Sequence, residues 1–318
     1  MNFRPISNWI RSLFQQQSII PKFPKFKLIE LSDYKSVEKM TSKFPAYSDF
    51  NFSNLWIWNL KGEMAISILN DNLVVKFSDY VTGHPFLSFI GDKKVNETAK
   101  ELIMFSENNY WCKTLKLIPE MVTKSLDQKA FEIIPDIDSH DYVFSVPQLA
   151  VLNAWPQSSM SQGIRNFCKT YPDYIIRKET INEVSEDKYS NLFKKWSENK
   201  KIDNHFEFNE YQAFKKIFEI KNENIKIISL YLKDVLVGFS LFEIVNTDYA
   251  ISHFIKADVE HHPAVYDILN WEEAKFLNEH KIKYYDWEQD LGIPGLRHSK
   301  VKYKPVLFLN KYFVKNRD

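Results

Sequence analysis

Apolar and polar positions trade between alternating and helical spacing along the chain, and the order of those patterns recurs. Alternation predicts a strand over residues 26–31, and a helix over 33–43 follows. Two short strands fall near 64–69 and 73–77, and Asn70-Asp71-Asn72 between them has the composition of a hairpin turn. A further strand covers 85–90. The stretch 97–108 puts Ala99, Leu102, Ile103 and Phe105 on one helical face, and a strand over 113–118 closes this half.

Beyond Asn153-Ala154-Trp155-Pro156-Gln157-Ser158-Ser159, a polar stretch broken by proline, the order returns. A helix over 162–169 leads to a strand over 174–178. Helices follow over 186–199, with Tyr189, Leu192, Phe193 and Trp196 inward, and over 208–219. Three strands come next, over 225–232, 235–244 and 249–256, the first two joined by the tight Lys233-Asp234 turn. A helix over 264–279, a short strand over 283–287, one helical turn after Pro294-Gly295 and a last strand over 303–312 complete the chain.

Each half therefore runs strand, helix, antiparallel strands, helix, strand. That is an α+β order, not a doubly wound parallel sheet. It resembles the N-acetyltransferase-like (GNAT) fold, so the expected architecture is two tandem GNAT-like domains with mixed, mainly antiparallel sheets. The expected division is an N-terminal extension over 1–22, a first domain over 23–157 and a second over 158–318.

Composition narrows the chemistry. At 318 residues, 44% hydrophobic and 26% charged, the chain can bury two cores. Aromatic residues reach 15%; of the ring-rich run, Phe50, Phe52, Trp56 and Trp58 read chiefly as packing between helix and sheet, with base stacking as the alternative. Lys plus Arg number 42 against 41 Asp plus Glu, so no global field draws nucleic acid or an anionic surface, and such a partner needs a local patch. Cys112 and Cys168 read as buried thiols in a reducing cytoplasm. The histidines lack ligand spacing, so no metal is expected. No apolar run is long enough to span a bilayer. Ile6, Trp9, Ile10, Leu13 and Phe14 share a helical face near Arg4 and Arg11; a helix capping a domain is the first reading and a peripheral membrane anchor the second.

The run from Tyr285 to Pro305 concentrates candidate chemistry. Gly292 and Gly295, two of only seven glycines, allow sharp turns or close approach. Pro294 suits the start of a helical turn, whose free N–H groups attract anions. Arg297 and Lys300, three apart, share one face of it. Glu288 and Asp290 alternate with Gln289 and are expected to point the same way, giving carboxylates that face a small basic pocket. A salt-bridged turn that merely closes the sheet is the competing reading.

This Glu288-Gln289-Asp290-Leu291-Gly292 run, with Gly295-Leu296-Arg297, Lys300, Tyr303 and Pro305, resembles the signature of the phosphatidylglycerol lysyltransferase C-terminal family. Phe167-Cys168-Lys169-Thr170-Tyr171-Pro172 resembles the family's interdomain helix, and His253-Phe254-Ile255-Lys256-Ala257-Asp258 its strand ending in Lys-Ala-Asp. Asp49, Asn54, Leu55 and Trp58 resemble its N-terminal aromatic segment, so the likeness spans about 44–312. It implies transfer of an aminoacyl group from aminoacyl-tRNA to a hydroxyl or amine, with the tRNA as co-substrate and no other cofactor. On that likeness Asp290 holds the donor ammonium or acts as base. Arg297 and Lys300 hold the terminal phosphate of the tRNA acceptor end or the developing oxyanion. Glu288, Lys256, Asp258 and Tyr303 line the substrate side. Asp286 and His262-Pro263-Ala264 depart from the pattern, and the family's membrane-spanning half is not in this sequence. These departures leave open whether the acceptor is a membrane lipid or a small molecule.

Two other classes remain. An acyl-CoA-dependent acetyltransferase needs a glycine-rich turn after the central strand, where this chain has Asp258-Val259-Glu260-His261-His262-Pro263; the first half offers only Gly91-Asp92-Lys93-Lys94. A non-catalytic binding module of the same fold is the third. No serine or cysteine has a base at a recognised spacing, which disfavours covalent catalysis. The expected location is cytoplasmic, with peripheral contact to a membrane surface as the variant.

Overall fold

The computed structural model describes residues 19–79, 83–200 and 204–317; the amphipathic stretch over 4–14 lies outside them. The chain is α+β, with sheets that are mainly antiparallel. Among the described residues no helix is long and apolar enough to cross a membrane. Packing divides the described chain into two compact units: 19–44, 49–136 and 311–317 form one, and 45–48 with 137–310 form the other. The division thus falls away from the polar stretch at 153–159, because residues 137–157 pack with the second unit.

In the first unit, Lys27–Leu28, Ala65–Leu69, Asn72–Ser78 and Pro85–Ile90 pair in that order as an antiparallel sheet. Asn70 and Asp71 both take left-handed φ (51° and 62°), the backbone of a two-residue hairpin whose twist matches its strands. The helix Val95–Asn108 buries Ala99, Leu102 and Ile103. Phe50, Phe52 and Leu55 are core, whereas Trp56 and Trp58 are half-buried. A second, three-stranded sheet places Lys311–Asn316 between Leu115–Pro119 and Phe131–Pro135.

The second unit holds one seven-stranded sheet, ordered Leu307–Leu309, Asp141–Ser145, Tyr284–Asp286, Tyr249–Ala257, Val235–Ile244, Ile225–Leu232, Ile175–Thr180. Only the pair Tyr249–Ala257 and Tyr284–Asp286 is parallel. Each unit thus completes a sheet with a strand from far along the chain. The strand expected over 303–312 is in fact two: Leu307–Leu309 joins this sheet and Lys311–Asn316 joins the first unit. The single turn expected after Pro294-Gly295 is an eight-residue helix that includes them, Pro294–Val301.

Alternation along Val235–Ile244 dresses the two faces differently. Gly238 lies so close beneath the helix Val265–Glu279 that an added Cβ would sit 2.5 Å from Val265 Cγ1. Its neighbour Phe239 packs on the other side against Tyr189 and Phe214, from the helices Asp187–Lys200 and Asn204–Ile217. Two properties of the middle strands matter for the site. The parallel pairing ends at Ile251 opposite Asp286, so residues 252–257 run on without that neighbour and the strands part. A register shift between Leu241 and Phe242 skips His253, whose ring is wholly buried.

Candidate functional site

The strand Tyr284–Asp286 gives way to a loop with its own backbone logic. Glu288 and Leu291 have left-handed φ (58° and 54°), so the alternation expected of Glu288 and Asp290 fails and their carboxylates diverge. The Asp286 carboxylate accepts the Glu288 N–H at 2.7 Å and fixes the first turn. Gly292 is favoured by its φ of 70°, and a Cβ there would also push aside the Asp138 carboxylate, 2.9 Å away.

Asp290 is fully buried and accepts four hydrogen bonds. One oxygen takes the Tyr142 hydroxyl (2.6 Å) and Arg297 Nε (2.5 Å); the other takes Arg297 Nη2 and the Gly292 N–H (both 2.9 Å). Burial works against its charge, but the Arg297, Tyr142 and Gly292 donors outweigh it and hold the carboxyl below its ordinary range. The same burial, with the adjacent carboxylate, pushes Tyr142 up to about 12. A carboxylate with all its lone pairs engaged orients its partners and is poorly placed to take a substrate proton. What it orients is Arg297, whose Nη2 also reaches Asp138 at 2.7 Å. Among the described residues Nη1 has no hydrogen-bond partner, and the side chain is 40% exposed.

Lys300 lies on the same helix but turns inward. Its ammonium donates to three successive carbonyls, of Trp287 (2.5 Å), Glu288 (3.1 Å) and Gln289 (2.7 Å). Burial drags its pKa down to about 8, partly opposed by Glu288, Asp286, Asp141 and Asp290. Arg297 and Lys300 therefore do not form one basic pocket. Lys300 clamps the loop that presents Asp290.

Glu288 faces His253 across the gap where the parallel strands part (3.6 Å), and the other His253 nitrogen lies 3.4 Å from buried Glu243. Burial disfavours the imidazolium, yet the two glutamates prevail and lift its pKa to about 9. This Glu243–His253–Glu288 group has no signature in the sequence, since only the register shift brings His253 to Glu243.

The other expected residues lie apart from Arg297. Lys256 is buried, with its nitrogen 3.7 Å from the Trp196 ring centre and 2.6 Å from Glu210. Asp258, at the end of the same strand, pairs with Lys195 (2.6 Å) and His261 (3.0 Å). The Tyr303 hydroxyl bonds Asp267, in the first turn of the helix Val265–Glu279, and its ring packs on Trp287. Tyr142 and Asp138 carry no mark in the sequence, because the partners of the strand Asp141–Ser145 lie far along the chain, at 284–286 and 307–309. Among the described residues no group of three or more His, Cys, Asp or Glu is placed to hold a metal ion. Cys112 and Cys168 are half-buried free thiols rather than core ones.

Comparison with known proteins agrees with this arrangement of elements. The family model for the C-terminal region of phosphatidylglycerol lysyltransferase matches residues 42–315. A conserved protein of unknown function from Bacteroides thetaiotaomicron VPI-5482 superposes with a TM-score of 0.79 at 24% identity, over 94% of this chain and 100% of that one. L-PGS from Bacillus licheniformis gives 0.59 at 13% identity, over 95% of each chain. FemX gives 0.59 at 9% identity, over 92% of this chain and 97% of that one. At these identities the superpositions speak for the fold. No curated protein matches by sequence.

Proposed function

The chain belongs to the phosphatidylglycerol lysyltransferase C-terminal family, and from that membership we propose that it moves an aminoacyl group from aminoacyl-tRNA to a lipid or small-molecule acceptor. The observation that carries the reading is Arg297: a guanidinium fixed by the buried Asp290, with Nη1 open and the side chain part-exposed at a helix of the family's signature run. A prepositioned guanidinium suits the terminal phosphate of an acceptor end or the oxyanion of ester attack, because no reorganisation is needed when charge develops. Asp290 serves by aiming it, and Lys300 by holding the loop. Lys256, Asp258, Glu288 and Tyr303 are held in contacts of their own and take no part in the proposed step.

With Asp290 and Asp138 both on Arg297, the local charge offers few phosphate contacts. Binding of tRNA should be weak, with a shallow salt dependence. An acyl-CoA reading fits less well: the turn after Tyr249–Ala257 has no glycine and turns the Asp258 carboxylate into its own contacts. The test is transfer of radiolabel from total charged tRNA to membrane lipids and small amines, with acetyl-CoA as a parallel donor. Label on an acceptor from tRNA alone supports the proposal; transfer from acetyl-CoA alone, or none from either, overturns it.

A further inference from the structure

Fourteen large apolar side chains are exposed among the described residues, and five of them, Leu291, Ile293, Val301, Val306 and Phe308, fall between 291 and 308. They collect about the open guanidinium. Ile293, Arg297 and Val301 are spaced by four along the helix Pro294–Val301 and its N-cap, so they share one face. Ile293 is 41% and Val301 51% exposed. Leu291, 46% exposed, donates its N–H to the carbonyl of Asp138, whose carboxylate is bonded to Arg297. Phe308, 43% exposed, sets its ring edge-on to Tyr142, and the Tyr142 hydroxyl bonds Asp290. Apolar side chains exposed singly need no explanation, but a patch gathered around a cation marks a surface that meets a partner.

Charge says which partner. From Leu291 to Asn310 the chain carries Arg297, Lys300, Lys302 and Lys304 and no Asp or Glu. Lys300 is turned inward, but Lys302 and Lys304 stay exposed, the first 3.6 Å from Asp267 and the second 5.1 Å from the centre of the Trp155 ring. Of the acids that meet this segment, Asp290 is sealed, Asp267 is largely covered and Asp138 is exposed. We infer that this face docks on an anionic lipid surface, its apolar side chains entering between the headgroups while Arg297, Lys302 and Lys304 meet the phosphates. The inference goes beyond the transfer reading and does not depend on it. A bilayer suits the face better than nucleic acid, because Leu291, Ile293, Val301 and Val306 are aliphatic and offer no ring on which a base could stack. It also suits it better than a second copy of the chain, because a two-fold contact through this patch would set its cations against their own copies. With 42 basic against 41 acidic residues the whole chain has no field to draw it to a membrane, and a local patch is what such docking requires.

Two measurements on the full chain test it, and neither needs activity. In sedimentation with vesicles, wild type should bind phosphatidylcholine containing phosphatidylserine better than phosphatidylcholine alone, and less as salt is raised. Leu291→Gln combined with Val301→Gln should weaken the binding roughly 10-fold or more, and Lys302→Glu with Lys304→Glu should abolish the preference for the anionic vesicles. Near-UV circular dichroism checks that each variant is folded. In the unsubstituted chain, amide hydrogen exchange over 291–308 should slow when the anionic vesicles are added. No binding by wild type, equal binding to both vesicles, or protection by vesicles only outside 291–308 overturns the inference. A concentration-dependent dimer that the glutamine variant disperses overturns it in favour of a self-interface. Vesicle binding without transfer from charged tRNA to any acceptor leaves the docking surface standing and removes the transfer reading; transfer without vesicle binding does the opposite.

Discussion

Arg297 meets Asp290 fork to fork, with Nε and Nη2 on the two oxygens of one buried carboxylate at 2.5 and 2.9 Å. The pair is asymmetric in its surroundings: the acid is sealed from solvent and the guanidinium is 40% exposed. The carboxylate is therefore scaffold and the cation is the part available to a ligand.

Arg297→Lys keeps the charge but loses the planar fork, so it cannot hold both oxygens. Transfer should drop at least about 10-fold; the chain should still fold, but the urea midpoint should fall, because the sealed Asp290 carboxylate loses part of its pairing. Asp290→Asn removes the charge that aims Arg297, so transfer should fall together with stability. It puts an amide donor where four donors converge and should cost about 2–3 kcal/mol in urea unfolding. Transfer unchanged in Arg297→Lys would remove the residue from the mechanism.

Lys300→Met tests the clamp. Three carbonyls lose their donor inside a buried loop, for which about 2–4 kcal/mol of destabilisation is expected by denaturant titration. Trp287 sits in that loop against Phe144 and Tyr303, so its fluorescence should report the rearrangement. If Lys300 contacted substrate directly instead, the same variant would lose transfer with the midpoint and emission unchanged.

Much of this architecture was legible in the sequence where the signal is local. Strands Pro85–Ile90, Ile225–Leu232 and Val235–Ile244 fall where alternation put them; the Lys233-Asp234 turn is where it was expected, and the turn expected over Asn70-Asp71-Asn72 is the pair Asn70-Asp71, with Asn72 already in the strand. What escaped was non-local. Asp141–Ser145 is bracketed by partners at 284–286 and 307–309, and nothing in five residues announces a pairing so distant. The exchange of Lys311–Asn316 into the first unit is hidden for the same reason. At the site, the residue types in the Glu288–Lys300 run were readable but their directions were not. Left-handed φ at Glu288 reversed the expected alternation, and inward rotation of Lys300 took it away from Arg297.

Gly238→Ala addresses the packing that supports the site. The new methyl would meet Val265 Cγ1 at 2.5 Å and Leu269 Cδ1 at 3.0 Å, so the helix Val265–Glu279 must move or strain. About 1–3 kcal/mol of destabilisation is expected from thermal or urea unfolding. A neutral result would mean that the helix has slack against the sheet.

Glu273 sets a pH dependence whose sign can be worked out. It is a buried residue on the sheet-facing side of that same helix, accepts a hydrogen bond from the Ser240 hydroxyl and has the Tyr285 hydroxyl as its other polar neighbour. Burial lifts its pKa from 4.5 to about 8, only slightly offset by Tyr285. Between those values the folded chain holds a proton that the unfolded chain has released. Unfolding then lets a proton go, and stability falls as pH rises. The contribution is fully present below about pH 4.5 and is lost as pH climbs through about 8. Because each pKa unit corresponds to about 1.4 kcal/mol, the span is roughly 4–5 kcal/mol at the limit. Glu273→Gln keeps an acceptor for Ser240 and cannot ionise. Its urea midpoint should match wild type near pH 5 and exceed it at pH 8.5. If the two proteins show parallel pH profiles over that range, Glu273 is ionised in the folded chain and its burial is compensated by groups other than these.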